Sequence, residues 1–140
     1  MATDWRARLN NLLHYSDAVA VDAFIAADVG PAMATFASEL RQRGLDATVE
    51  QRPDGKRLAL MVGHGTEADF RYEVRRSAHL LPNAALRGND SSSSEEYYRA
   101  EVFLKEGGQG YDLMGWTREQ VLHDLLEQYE KHLHFLHTVR

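Results

Sequence analysis

The chain has 140 residues, 44% of them apolar, no cysteine, and a formal net charge of -5. That length suits one domain with its own core, and the lack of cysteine excludes thiolate catalysis, thiolate-ligated zinc and a disulfide scaffold while fitting a reducing compartment. An acidic chain with no concentrated basic surface also argues against nucleic acid as a partner, because phosphate binding draws on clustered Lys and Arg.

Trp5, Leu9, Leu12 and Leu13 fall at i, i+4, i+7 and i+8, which predicts a short helix from Asp4 to His14 with Arg6, Arg8 and Asn10 off the apolar stripe. Ser16 or Asp17 is placed to cap a second helix carrying Val21, Phe24, Ile25 and Val29 on one face. Pro31 is expected to break or restart that helix, leaving Pro31 to Arg43 as a separate or kinked segment with Met33, Phe36, Ala37 and Leu40 inward and Gly44 at its end. No stretch approaches the roughly 20 apolar residues of a membrane-spanning helix. The nearest, Ala18 to Phe36, is interrupted by Asp22, Asp28 and Gly30-Pro31. No apolar leader follows a basic N-terminus, so a soluble chain without a secretory signal is expected.

Past Gly44 the apolar period shortens from 3.6 to 2, and Pro53-Asp54-Gly55 reads as a hairpin turn between strands near Leu45 to Gln51 and Lys56 to Gly63. Phe70, Tyr72 and Val74 alternate with Arg71, Glu73 and Arg75 in a third strand; Tyr98, Ala100, Val102 and Leu104 alternate with Arg99, Glu101 and Lys105 in a fourth. Between them, Pro82 to Glu96 holds Gly88-Asn89-Asp90 and four consecutive serines, too polar to order itself, so a mobile loop is expected there. Thr117 with Gln120 forms a capping box that opens a helix running to about Thr138, with Val121, Leu122, Leu125, Leu126, Tyr129, Leu133 and Leu136 on its inner face. The fold class expected is α+β: a four-stranded antiparallel sheet with two N-terminal helical segments and one long C-terminal helix packed on it, in a single domain over 1–140.

Several patterns could carry chemistry. Glu119, His123, Glu127, Glu130, His134 and His137 form a polar stripe on the last helix, and Glu130, His134 and His137 have the i, i+4, i+7 spacing that can hold a divalent metal. HExxH is absent and no other segment completes the ligand set, so the stripe reads first as a solvated face, and its acid–imidazole spacing suits a proton-sensitive surface better than a metal site. His64, in Gly63-His64-Gly65, ends a strand without an assignable nucleophile or orienting acid, and His79 and His14 show no partner pattern. Gly107-Gly108-Gln109-Gly110 lacks both the GxxxxGK[ST] lysine and the GxGxxG pattern; its glycines are read as allowing positive φ, with Tyr111, Leu113, Met114 and Trp116 plugging the loop into the core.

The outer sheet face is the candidate interaction surface. Met61 and Phe103 fall in phase with Arg57, Arg71, Glu73, Arg75, Arg99, Glu101 and Lys105, opposite the predicted core, an apolar pair inside a mixed-charge field. No catalytic residue, resident metal or cofactor is assigned. Two other classes stay open: a small hydrolase or metal-dependent enzyme around His64 or His134/His137, and a plain dimerisation module using the outer sheet face.

Tyr98-Arg99, Glu101, Glu106-Gly107-Gly108-Gln109, Tyr111-Asp112-Leu113-Met114, Gln120-Val121, and Asp124 through Gln128-Tyr129-Glu130 to His132-Leu133 carry a family likeness. With weaker matches at Trp5, Arg8 and Leu9, at Pro31-Ala32-Met33, at Glu39-Leu40-Arg41 and at Asp69-Phe70 with Tyr72-Glu73-Val74, nearly the whole chain resembles the cytoplasmic C-terminal domain of BetT-type choline transporters, in the betaine/choline/carnitine transporter family. The serine loop has no distinctive counterpart. The resemblance implies a regulatory part that adjusts choline uptake to osmotic stress, on the cytoplasmic face of the bacterial inner membrane. It implies the membrane-embedded portion of the same polypeptide as partner, with a homo-oligomer and contact between the N-terminal segment and the membrane surface as further expectations. The aromatic cage that binds choline belongs to the membrane helices and is missing from this chain, so no choline-binding residue carries over.

Overall fold

A computed structural model describes residues 17–51, 57–64, 67–80, 96–104 and 110–138, together with Arg6 and Leu9. The expected first helix lies outside the described residues except for those two, both of which are helical and exposed. The 82–95 part of the serine loop and the hairpin turn at Pro53-Asp54-Gly55 also lie outside them.

Asp17 caps the helix α1 (Ala18–Phe24), its Oδ1 accepting from the Ala20 amide at 2.7 Å. Contrary to expectation, Pro31 does not interrupt the chain's helical path. A π-helical turn (Ile25–Val29) passes directly into α2 (Gly30–Gln42), with Pro31 in the first turn of α2. A proline removes one amide donor and crowds the carbonyl four residues back; a wider π turn relieves both. That carbonyl, on Ala27, accepts from Arg118 Nη2 at 3.1 Å. The unbroken helix of 25 residues is long and apolar enough to cross a membrane by those criteria alone, which corrects the sequence expectation. Here its Val21, Ile25, Val29, Ala32, Met33, Ala37 and Leu40 are buried in the core, and Asp22 accepts from Arg76 at 2.8 Å.

At the end of α2, Gly44 takes φ 85° and the amides of Gly44 and Leu45 bond back to Arg41 and Leu40. Only glycine adopts that backbone cheaply, which is why the helix stops here. Strands β1 (Asp46–Gln51), β2 (Arg57–His64), β3 (Glu67–Leu80) and β4 (Glu96–Leu104) form one antiparallel sheet in the order β1-β2-β3-β4. β3 runs well past the predicted alternation, and Glu96, expected in the loop, pairs with Leu80 at the start of β4. The 110–116 segment closes the free edge of β4: the Val102 amide donates to Tyr111 O at 3.0 Å, the Leu113 amide to Ala100 O at 2.9 Å, and Asp112 Oδ1 accepts from the Ala100 and Met114 amides. Gly110 lies against the Glu101 carboxylate where a Cβ would collide, and Gly115 takes a positive φ (87°), while Gly107 and Gly108, also expected to allow positive φ, lie outside the described residues.

The capping box of α3 (Arg118–Thr138) forms as read, with the Thr117 amide on Gln120 Oε1 at 2.8 Å and the Gln120 amide on Thr117 Oγ1 at 3.1 Å. The described helices share one core with the inner face of the sheet, where Leu60, Val62, Phe70, Tyr72, Val74 and Val102 meet Leu113, Val121 and Leu125. The sheet's other face has no helix on it among the described residues.

Candidate functional site

The open sheet face is built by the period of 2 that buries Tyr72 and Val74 on the other side. Cross-strand register sets Ala59 beside Glu73, Met61 beside Arg71 and Arg57 beside Arg75 between β2 and β3. On β4, Phe103 stands opposite Glu73, Glu101 opposite Arg75 and Arg99 opposite Ser77. The sequence-predicted residues Met61, Arg71, Glu73, Arg75, Arg99, Glu101 and Phe103 thus share one surface, while Lys105 lies outside the described residues.

Its centre is a carboxylate under a lid of arginines. Glu73 is only 2% exposed although it points away from the core. Arg71 Nη2 donates to it at 2.6 Å, Arg75 Nε at 2.5 Å, and Arg57 Nη1 stands 3.7 Å away. Arg75 also lies over the Phe103 ring, 4.1 Å from its centroid, a cation–π contact that fixes the guanidinium's plane. Burial would raise the Glu73 carboxyl, but the hydrogen bonds and charges of Arg71 and Arg75 outweigh it and hold the group below the usual glutamate range. Three guanidinium groups around one carboxylate leave the patch cationic, and each of the three remains between 34% and 41% exposed.

A second cluster continues along β3. Glu101 accepts from Ser77 Oγ at 2.6 Å and from His79 Nε2 at 3.0 Å. Burial raises its carboxyl, but those two donors with the nearby charges of His79 and Arg99 bring it below the normal range. His79 also packs on Tyr97, whose hydroxyl accepts from Arg99 Nη2 at 3.2 Å. Ser77 and His79 were missed in the sequence, although they continue the alternation of Arg71, Glu73 and Arg75 two residues at a time. His79, which has no partner pattern in one dimension, gains one across the strands.

Under the sheet, Asp124 is 7% exposed and accepts from Tyr72 Oη at 2.6 Å and Tyr111 Oη at 2.5 Å. The trio ties β3, the 110–116 segment and α3 together. Burial, then the neighbouring Asp124 carboxylate, push both phenols upward. No spacing in the sequence announces this contact, because its members come from three separated elements.

His64 ends β2 as predicted, with Nε2 3.1 Å from Tyr129 Oη and its ring 5.6 Å from that of buried His132. Glu130 and His134 lie exposed on α3, and the side chain of His137 lies outside the described residues. Among the described residues, no group of three His, Cys, Asp or Glu side chains gathers to hold a metal ion.

No family model matches the chain. It is, however, 39% identical over 137 residues to a glycine betaine transporter of Acinetobacter baylyi, an alignment covering 97% of this chain. It is 37% identical over 141 residues to the high-affinity choline transport protein of Escherichia coli strain K12, again with 97% covered. It is 32% identical over 142 residues, 98% of the chain, to the osmo-dependent choline transporter BetT2 of Acinetobacter baylyi. The chain is homologous to a domain-sized part of the BetT-type choline and glycine betaine transporters. It spans 20% of the length of each of these relatives, all of which are named as transporters rather than enzymes.

Proposed function

We propose that the chain is the C-terminal, cytoplasmic regulatory domain of a choline or glycine betaine transporter, and that its open sheet face adjusts uptake to the ionic strength of the cell interior. The observation that carries this reading is the Glu73 cluster: an ion-rich surface with a cationic excess, built on the sheet and uncovered by the domain's own described elements. The partner it fits is an acidic surface on the membrane-embedded portion of the same polypeptide. Choline is bound there and not in this domain. A relative whose name includes "osmo-dependent" supports the same direction.

The physics is screening. Raising ionic strength from about 0.1 M to 1 M shortens the Debye length from roughly 10 Å to 3 Å, which weakens contacts between exposed charges while sparing the buried Glu73 pairs. At low internal salt the arginines hold the transporter core in a less active arrangement; at high salt that hold loosens and uptake rises. The test replaces Arg71, Arg75 and Arg99 together by alanine in the full transporter and follows choline uptake across a salt series. Uptake already high at low salt is the expected result. An unchanged salt profile with normal membrane levels would defeat the proposal.

A further inference from the structure

The sheet is closed along one side only. The 110–116 segment covers the outer edge of β4, whereas among the described residues no strand or segment pairs with the outer edge of β1. Arg41 Nη1 donates to the Ala47 carbonyl at 2.8 Å, so that carbonyl faces away from β2. Backbone groups along a paired strand alternate in direction, so the amides and carbonyls of Val49 and Gln51 face outward as well. Arg41 caps one end of this edge, and Val49 and Gln51 leave the other end open to a further strand.

Backbone pairing at an open edge supplies affinity, and the side chains beside it supply selectivity. On the inner side of the sheet, Val49, Gln51 and Leu58 face Ile25, Ala26 and Gly30 across a cleft of about 280 Å³ between β1 and the π-helical turn. Val49 stays 36% exposed there, although its cross-strand partner Leu60 is fully buried. An apolar side chain opposite Val49 on an added strand enters this cleft. On the outer side the flanking residues are Thr48 and Glu50, with Asp46 two residues further along, and all three are exposed. Neither acid has an ion-pair partner among the described residues. The same acids decide against a second copy as the occupant. Two β1 strands paired antiparallel about Thr48 set Asp46 against Glu50 twice, and paired about Val49 they bring the two Glu50 carboxylates to diagonal positions; like charges so placed repel.

We propose that the 49–51 edge of β1 receives an extended segment of a partner in which cationic residues alternate with apolar ones. Its backbone pairs with Val49 and Gln51, one apolar side chain fills the cleft beside Val49, and its cations lie beside Thr48 and Glu50. The edge is two strands away from Glu73, and the inference does not depend on the regulatory reading.

The test titrates the complete 140-residue chain into a fluorescent synthetic peptide of alternating lysine and valine, and follows amide hydrogen exchange in the complex. Saturable binding is expected, with slower exchange at the Val49 and Gln51 amides. The same peptide N-methylated on the amides of one edge, which cannot pair as a strand, should lose binding whatever the state of the protein's fold. A peptide alternating glutamate and valine should bind about tenfold more weakly, and Glu50→Lys, at an exposed position that leaves the melting temperature unchanged, should reverse that preference. Absence of saturable binding to the lysine–valine peptide overturns the proposal. So does binding that survives N-methylation, that leaves Val49 and Gln51 exchange unchanged, or that ignores Glu50→Lys. Light scattering that shows the chain dimerising through this edge, with Glu50→Lys altering the dimer, would assign the edge to a second copy and overturn it equally.

Discussion

Replacing Glu73 by alanine removes the carboxylate on which three arginines converge. Two of its contacts are short charge-assisted hydrogen bonds, 2.6 and 2.5 Å long, and such bonds contribute about 1.5 to 3 kcal/mol each in mutational series. The full sum is not lost. Arg71 and Arg75 keep 34% and 41% of their side-chain surface in solvent, so their freed guanidinium groups rehydrate and swing apart, and exposed ion pairs are individually weak. Relief of repulsion in the wild type works the other way, because without Glu73 the three cations face one another unscreened. The net expectation is a loss of about 2 kcal/mol, or roughly 6 °C in melting temperature for a domain of this size. Urea unfolding followed by circular dichroism measures it. The pH dependence supplies a second, sharper check. The folded-state carboxyl lies below its unfolded value, so its contribution is complete above about pH 4.3 and disappears as pH falls through the lower folded value. The gap between wild type and Glu73→Ala should therefore be constant near neutrality and close in acid. A difference under about 0.5 kcal/mol at pH 7, or a gap that persists unchanged to pH 2, would refute the assignment of Glu73 as the anchor of this face.

Two further substitutions probe the core. Tyr72→Phe takes one of the two hydroxyl donors from buried Asp124 and should cost about 2 kcal/mol. Because burial raises the Tyr72 and Tyr111 phenols, folding stability should decline above about pH 10, where the unfolded tyrosines ionise, and the variant should decline less steeply; parallel alkaline limbs would count against the trio. Leu125→Ala, at a position with no exposure, should destabilise by roughly 3 kcal/mol, against less than about 1 kcal/mol for its half-exposed neighbour Leu126→Ala. Equal losses at the two sites in chemical denaturation would mean that α3 packs in a different rotation.

Wherever local chemistry and short-range periodicity suffice, the chain declares its own structure. Asp17 and Thr117 cap helices because each offers an oxygen to amides within three residues, and Gly44 ends one because only glycine takes its φ without strain. Alternation over Lys56 to Gly63, over Phe70 to Arg75 and over Tyr98 to Leu104 put the strands in place and gathered Arg71, Glu73, Arg75, Arg99, Glu101, Met61 and Phe103 on a single face. The α+β class follows from that change of period. Even so, the proline rule failed at Pro31, where a π turn and the Arg118 guanidinium absorbed the missing amide and the lost partner of Ala27. Propensity counts the cost of proline within the helix and cannot see a donor arriving from 91 residues away.

Tertiary structure alone decided the rest, in each case because the partners are distant in sequence. The family likeness was legible as residues at and after Tyr98, yet that Asp124 would meet Tyr72 and Tyr111 was not. Glu73 reads as one more exposed acid in an alternating strand; it is buried because register brings Arg57 from the next strand to join Arg71 and Arg75 above it. His79 finds Glu101 by the same means. Leu126 shows the converse: periodicity assigns it to the core, and only the width of the neighbouring helix leaves it in solvent. A sequence specifies which side of an element is apolar, while the number and position of its neighbours determine how much of that side is covered.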